Sequence, residues 1–108
     1  MTAAFSFRPA RPEDLDALVD LEQRCFDGDR LSRRSFRHWI RQAHSGLILA
    51  EAEDGALAGY ALVILQRGTR LARLYSIATD PERRGQGLGE QLLDAAEDYA
   101  HQEKRLYL

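Results

Sequence analysis

The chain has 108 residues, which suits a single domain spanning 1–108 with one modest core. Hydrophobic residues make up 44% and charged residues 30%, an ordinary globular composition, and the formal net charge of -2 offers no general attraction to nucleic acid or anionic membranes. One cysteine, Cys25, rules out an internal disulfide and a cysteine-based zinc site, and it fits a reducing, cytoplasmic setting. The longest apolar run, Tyr60 to Leu65, is far too short to span a membrane, and the N-terminus lacks a signal-peptide apolar core.

Phe5 and Phe7 alternate with Ser6 and Arg8, predicting a short strand ended by Pro9. Pro12 suits the first turn of a helix, with Glu13 and Asp14 favourable to its dipole. Leu15, Leu18, Val19, Glu22, Cys25 and Phe26 follow at helical spacing, and all but Glu22 are apolar. Asp27-Gly28-Asp29 breaks that helix. Ser32 can cap a second one carrying Phe36, Trp39 and Ile40 on one side. Residues 47–53 and 56–66 read as strands joined by Asp54-Gly55, a hairpin signal. A further strand is predicted over 70–79. There Leu71, Leu74 and Ile77 recur every three residues, which one extra residue near Leu74 to Ser76, a bulge, would reconcile. Asp80-Pro81 ends it. An amphipathic helix is predicted over 87–102, with Leu88, Leu92, Ala96 and Tyr99 inward, then a strand over 105–108. This order predicts a mixed α/β (α+β) sheet, mostly antiparallel, with helices on both faces. The crossover from 70–79 through the helix to 105–108 makes that last pair parallel.

Between the strand and the third helix lies Arg83-Arg84-Gly85-Gln86-Gly87-Leu88-Gly89. The first amides of a helix have no internal acceptor and carry the positive end of its dipole. Glycine lets an anion come close, and two arginines add charge. The amides of 84–89 are therefore expected to cradle a phosphate or pyrophosphate. The alternative is a plain turn, which does not need three glycines and two arginines. A nucleoside-triphosphate loop would need Lys-Ser or Lys-Thr where Glu90-Gln91 stands. A dinucleotide fingerprint would need G-x-G-x-x-G early in the chain.

Arg84-Gly85-Gln86-Gly87-Leu88-Gly89 resembles the Q/R-x-x-G-x-G/A signature of the GNAT superfamily of acyl-CoA-dependent N-acyltransferases. Leu74-Tyr75-Ser76-Ile77-Ala78-Thr79-Asp80-Pro81-Glu82 looks like that family's fourth strand and its ending, and Arg8-Pro9-Ala10-Arg11-Pro12-Glu13-Asp14-Leu15 is similar to many members. The stretch Asp16 to Phe36, with Leu21-Glu22-Gln23-Arg24, is similar to ribosomal-protein-alanine N-acetyltransferases. The resemblance implies acetyl-CoA as co-substrate, its pyrophosphate on Arg84, Gly85, Gln86, Gly87, Leu88 and Gly89. It also implies a splay between the fourth and fifth strands, where the pantetheine arm pairs with the backbone of Ile77, Ala78 and Thr79. An amide near Ile77 would stabilise the oxyanion. The implied reaction is direct acetyl transfer to a primary amine (a protein N-terminus, a lysine or a small molecule), with no metal. A non-catalytic acyl-CoA-binding or interaction module is the alternative.

Tyr75 is the weak candidate for the acid, with Tyr60 beside it; both also read as core or half-buried strand aromatics. Glu51 and Glu53 alternate along a strand and read either as a base acting through water or as a solvated face. Cys25 reads as a core thiol. His38, His44 and His101 show no ligand spacing. Arg30, Arg33, Arg34, Arg37 and Arg41 read as a solvated face or as a surface for an acidic partner, and Asp27 and Asp29 as attractors of a cationic amine. The resemblance places the family's usual acid tyrosine, and the subgroup's base glutamate, beyond Leu108. The chain is thus expected to be GNAT-like but truncated after strand five. Its last strand is expected either to pair with a second copy, giving a homodimer, or to leave the fold marginally stable.

Overall fold

The computed structural model describes residues 4–42 and 45–107, without the side chains of Ser45, Leu106 and Tyr107. Five strands form one sheet in chain order: β1 (Ser6–Pro9), β2 (Ser45–Glu51), β3 (Leu57–Leu65), β4 (Leu71–Thr79) and β5 (Leu106–Tyr107). The first four are antiparallel neighbours. β5 joins β4 in parallel through Leu71↔Leu106 and Ala72↔Tyr107. Helices α1 (Leu15–Cys25) and α2 (Arg33–Arg41) cover one face, and α3 (Leu88–Gln102) covers the other.

The hairpin turns where Asp54-Gly55 predicts. Gly55 sits at φ +86, and the Asp54 carboxylate accepts the Ala56 N–H at 3.0 Å. The turn takes more chain than expected, because Ala52 N–H donates to Ala56 O at 2.9 Å. β2 therefore ends at Glu51, and Glu53 belongs to the turn. Ser32 caps α2, its hydroxyl accepting the Ser35 N–H at 3.1 Å.

The start of α1 differs from expectation in its first turn. Pro12–Asp14 is a separate 3-10 turn, and the α-helix begins at Leu15. Asp14 is the third residue of that turn and closes a capping box on Arg11. Its carboxylate accepts the Arg11 N–H at 2.7 Å and is gripped by both Arg8 Nη atoms at 2.8 Å. The bond to Arg11 is the one by which a third residue caps a helix start, so Pro12 opens the helical stretch as expected and only its first turn is 3-10.

β4 carries the predicted bulge. Leu62 faces Ser76 and Val63 faces Leu74, so Tyr75 is the extra residue. Leu74 and Ile77 pack with the α3 face, whereas Tyr75 reaches Trp39 of α2 and Ser76 reaches Tyr60 on the α1/α2 face. The bulge thus puts two successive side chains on one side of the sheet.

Two glycines let α3 lie close to the sheet. A Cβ on Gly46 would meet the Tyr99 ring at 2.4 Å, and one on Gly59 would meet Ala78 O at 2.7 Å and Leu92 Cδ1 at 3.0 Å. Leu88, Leu92 and Ala96 are buried as predicted. Ala100 rather than Tyr99 completes the stripe, and Tyr99 stays half-buried over Gly46. His44 and Leu108 lie outside the described residues, as does any covering of the sheet by the side chains of 106 and 108. Among the described residues, no helix is long and apolar enough to cross a membrane.

Candidate functional site

The strand-to-helix passage after β4 is built from local chemistry. Asp80, 6% exposed, ends the strand; its Oδ1 accepts the Glu82 N–H at 3.0 Å and opens a 3-10 turn over Pro81–Arg83. The same atom accepts from Arg24 Nη1 at 2.8 Å, tying the turn to α1. The chain then passes Gly85 at φ +82 and Gly87 at φ +77, with no positive φ at Gln86 between them. Alternation of this kind makes a concavity of backbone N–H groups. Gly87 is the N-cap of α3 and brings no side-chain acceptor to it.

Three observations test whether an anion fits. Among the described residues, no acceptor meets the amides of 84–89; the neighbouring bonds are Arg83 N–H to Asp80 O and Gln91 N–H to Gly87 O. A cavity of about 270 Å³ lies against them, lined by Thr79, Arg83, Arg84, Leu88, Glu90 and the three glycines. Gly89 is inside the first turn of α3, yet a Cβ there would meet nothing within 4 Å. Glycine at such a place costs roughly 1 kcal/mol of helix stability relative to alanine. Packing does not call for that cost, whereas room for a group outside the protein would. The loop has room and open donors for a phosphate-sized anion.

The other sequence candidates divide. Ile77, Ala78 and Thr79 are the last residues of β4. Each pairs with β3, opposite Ala61, Tyr60 and Gly59, and among the described residues none has a strand partner on the β5 side. The Thr79 carbonyl accepts from the Cys25 thiol at 3.2 Å. Burial pushes that thiol up from its ordinary value, as suits a packed group and not a nucleophile. Tyr75 is 55% exposed at the bulge, its ring 6.4 Å from that of Trp39.

Tyr60 is no free acid. It is fully buried and its hydroxyl donates to Glu22 Oε1 at 2.6 Å. Burial first, and that bond second, hold its phenol well above the ordinary tyrosine range. Glu51 is no free base, because Arg8 grips it across the β1–β2 pair while also holding Asp14. Glu53 is exposed in the hairpin turn. His38 and His101 are exposed, as are Asp27 and Asp29 in the loop after α1. Of the basic stripe, Arg33 pairs with Asp16 at 2.6 Å and Arg30 donates to Phe26 O. The residue that sequence reasoning missed is Glu22, 2% exposed. Its one signal was a carboxylate at an apolar position of α1.

A larger cavity, about 420 Å³, lies away from the loop among Phe7, Trp39, Ile40, Leu47 and Tyr99. It contains none of the predicted cofactor residues, so its size does not bear on the anion site.

Residues 15–108 match the acetyltransferase (GNAT) family. The chain belongs to that family. Within GNAT, it is 38% identical over 106 residues to a mycothiol acetyltransferase of Acidimicrobium ferrooxidans, a match covering 86% of this chain and 33% of the relative. It is 32% identical over 96 residues to a putative ribosomal protein bS18-alanine N-acetyltransferase of Bacillus subtilis, covering 89% of this chain and 62% of the relative. The chain thus spans a third to under two thirds of these GNAT proteins. Its fold superposes with a TM-score of 0.84 on the PaiA N-acetyltransferase of Thermoplasma acidophilum, which was crystallised with coenzyme A. That match covers 95% of this chain and 76% of the other, at 18% identity.

Proposed function

We propose that this chain carries the cofactor-binding part of an N-acetyltransferase that moves an acetyl group from acetyl-CoA to a primary amine by direct attack. The observation that carries the reading is the set of open amides at 84–89, beside a Gly89 whose bareness packing does not require. In this reading Arg84 and the loop amides hold the pyrophosphate, with Arg83 adding charge nearby. The β4 edge at Ile77 and Ala78, beyond the two residues that pair with β5, lines the pantetheine arm. Bound acetyl-CoA supplies a thioester acyl carbon to the amine. Tyr75, exposed at the bulge, is the in-chain candidate for proton donation to the departing sulfur. The free thiol of Cys25 suits a reducing, cytoplasmic compartment. A second reading, an acyl-CoA-binding module without catalysis, draws on one observation: Tyr60 and Glu51 are both committed to internal contacts.

Calorimetry with CoA tests the site. Gly89→Val should weaken binding by about tenfold or more, equivalent to ~1.4 kcal/mol. Its thermal midpoint should not fall, because valine suits a helix slightly better than glycine. Affinity in the wild type should also decline as salt rises, since screening acts on exposed phosphate contacts. Equal CoA affinity in the variant and the wild type would sink the reading. Acetyl-CoA consumption against an amine panel separates enzyme from binding module.

A further inference from the structure

The face opposite α3 holds a polar chain that the cofactor loop does not use. The Glu22 carboxylate is buried in α1 and accepts from two neutral donors: Leu31 N–H into Oε2 at 2.6 Å and Tyr60 OH into Oε1 at 2.6 Å. Burying a carboxylate against neutral partners is costly, so an ionisable group there needs a reason. The reason lies in direction. A carboxylate has no proton to give, so both neighbours must donate to it. Tyr60, its proton committed to Glu22, can only accept from Ser76, whose Oγ is 2.9 Å from the phenol oxygen. Ser76 in turn spends its single proton on Tyr60. What it presents outward, one residue before Ile77 and next to the exposed Tyr75, is lone pairs alone.

That polarity matters to an amine nucleophile. A hydroxyl that donated its proton would bond to the amine lone pair and quench it. A hydroxyl that only accepts takes an N–H and leaves the lone pair free. The Tyr75–Ser76 side of the bulge also faces α1 and α2, on the side of the sheet opposite α3. Resting on the transferase reading above, we propose that Glu22 is a positioning residue for the acceptor: acting through Tyr60, it fixes Ser76 Oγ as a hydrogen-bond acceptor for an N–H of the incoming primary amine.

Glu22→Gln tests the idea with little change of shape. The amide oxygen can still accept from Leu31 N–H, and its NH₂ then donates to Tyr60. Tyr60 passes its proton to Ser76, and the Ser76 proton turns outward. Every bond survives, and the two that run through Tyr60 reverse direction. In the full-length protein, Glu22→Gln should keep its thermal midpoint and CoA affinity. Its kcat/KM for the best amine of a panel should fall on the order of 10- to 100-fold. Calorimetric binding of that amine to the CoA complex should weaken as well. Ser76→Ala, which removes only a half-buried hydroxyl, should lose a similar factor, and the double variant should lose no more than either single one. A folded Glu22→Gln or Ser76→Ala protein with amine kcat/KM within twofold of wild type overturns the proposal, as do losses that multiply in the double variant. A wild-type protein that neither binds CoA nor acetylates any amine fails earlier, at the transferase reading itself.

Discussion

The two faces of the sheet are built from different materials. Under α3 the buried residues are small and aliphatic, with Ala58, Ala61, Ala96 and Ala100 at full burial, and Gly46 and Gly59 where a Cβ would collide. Under α1 and α2 they are larger and partly polar. Phe36 meets Tyr60 edge to face at 5.5 Å, and Glu22 and Ser76 bond to the same phenol. Small residues bring a helix close and allow it little play, so the first face fixes where the start of α3 sits. Aromatic residues with polar tips carry hydrogen bonds through an apolar layer, so the second face delivers a hydroxyl to the bulge. Holding a helix end and orienting a proton need different side chains, and this sheet keeps them apart.

Substitutions should separate the two faces. The largest effect belongs to the α3 face: Leu92→Ala should cost about 2–5 kcal/mol, read as a lowered urea midpoint, because it opens a cavity beneath the helix. CoA affinity should fall with it as the loop loses its support. On the other face Tyr60→Phe should cost about 1–3 kcal/mol by leaving Glu22 and Ser76 without their shared partner, with CoA affinity retained. If Tyr60→Phe weakens CoA as much as Leu92→Ala does, the division between the faces is wrong.

Acidity gives a further handle on Tyr60. Its phenol is held above the ordinary value of 10.0, so its contribution to stability is complete below that pH. Above it, the unfolded chain ionises first and stability declines as the pH rises toward the folded value. Tyr60→Phe should flatten part of that alkaline decline in urea midpoints, while Tyr99, also raised by burial, keeps the rest. The smallest effect is expected outside both faces: Arg33→Ala, which breaks an exposed pair with Asp16, should change stability by less than about 0.5 kcal/mol.

Features set by neighbours in sequence were legible in advance. Ser32 caps its own helix, Asp54-Gly55 turns its own hairpin, and the three-residue spacing of Leu71, Leu74 and Ile77 marks a bulge within one strand. The glycine loop was legible for the same reason, since its backbone angles and its helix start lie within a few residues. Features set across the sheet were not. Glu22 finds Tyr60 at 38 residues' separation, and Arg8 finds Glu51 at 43, so Glu22 read as a break in an apolar stripe and Glu51 as either a base acting through water or part of a solvated face. Pro12 opens the helical stretch as read, but that its first turn is 3-10 was not legible, nor was the grip of Arg8, in another element, on the Asp14 carboxylate.

The bulge has an optical consequence. Trp39 is the only tryptophan in the chain, and its indole lies 6.4 Å from the ring of Tyr75, the residue that the bulge inserts. Light absorbed by that phenol passes readily to an indole so near, and indole emission shifts in colour as its surroundings dry or moisten. The strand edge where substrate would settle therefore carries its own lamp, and occupancy there can be followed by fluorescence with no dye attached.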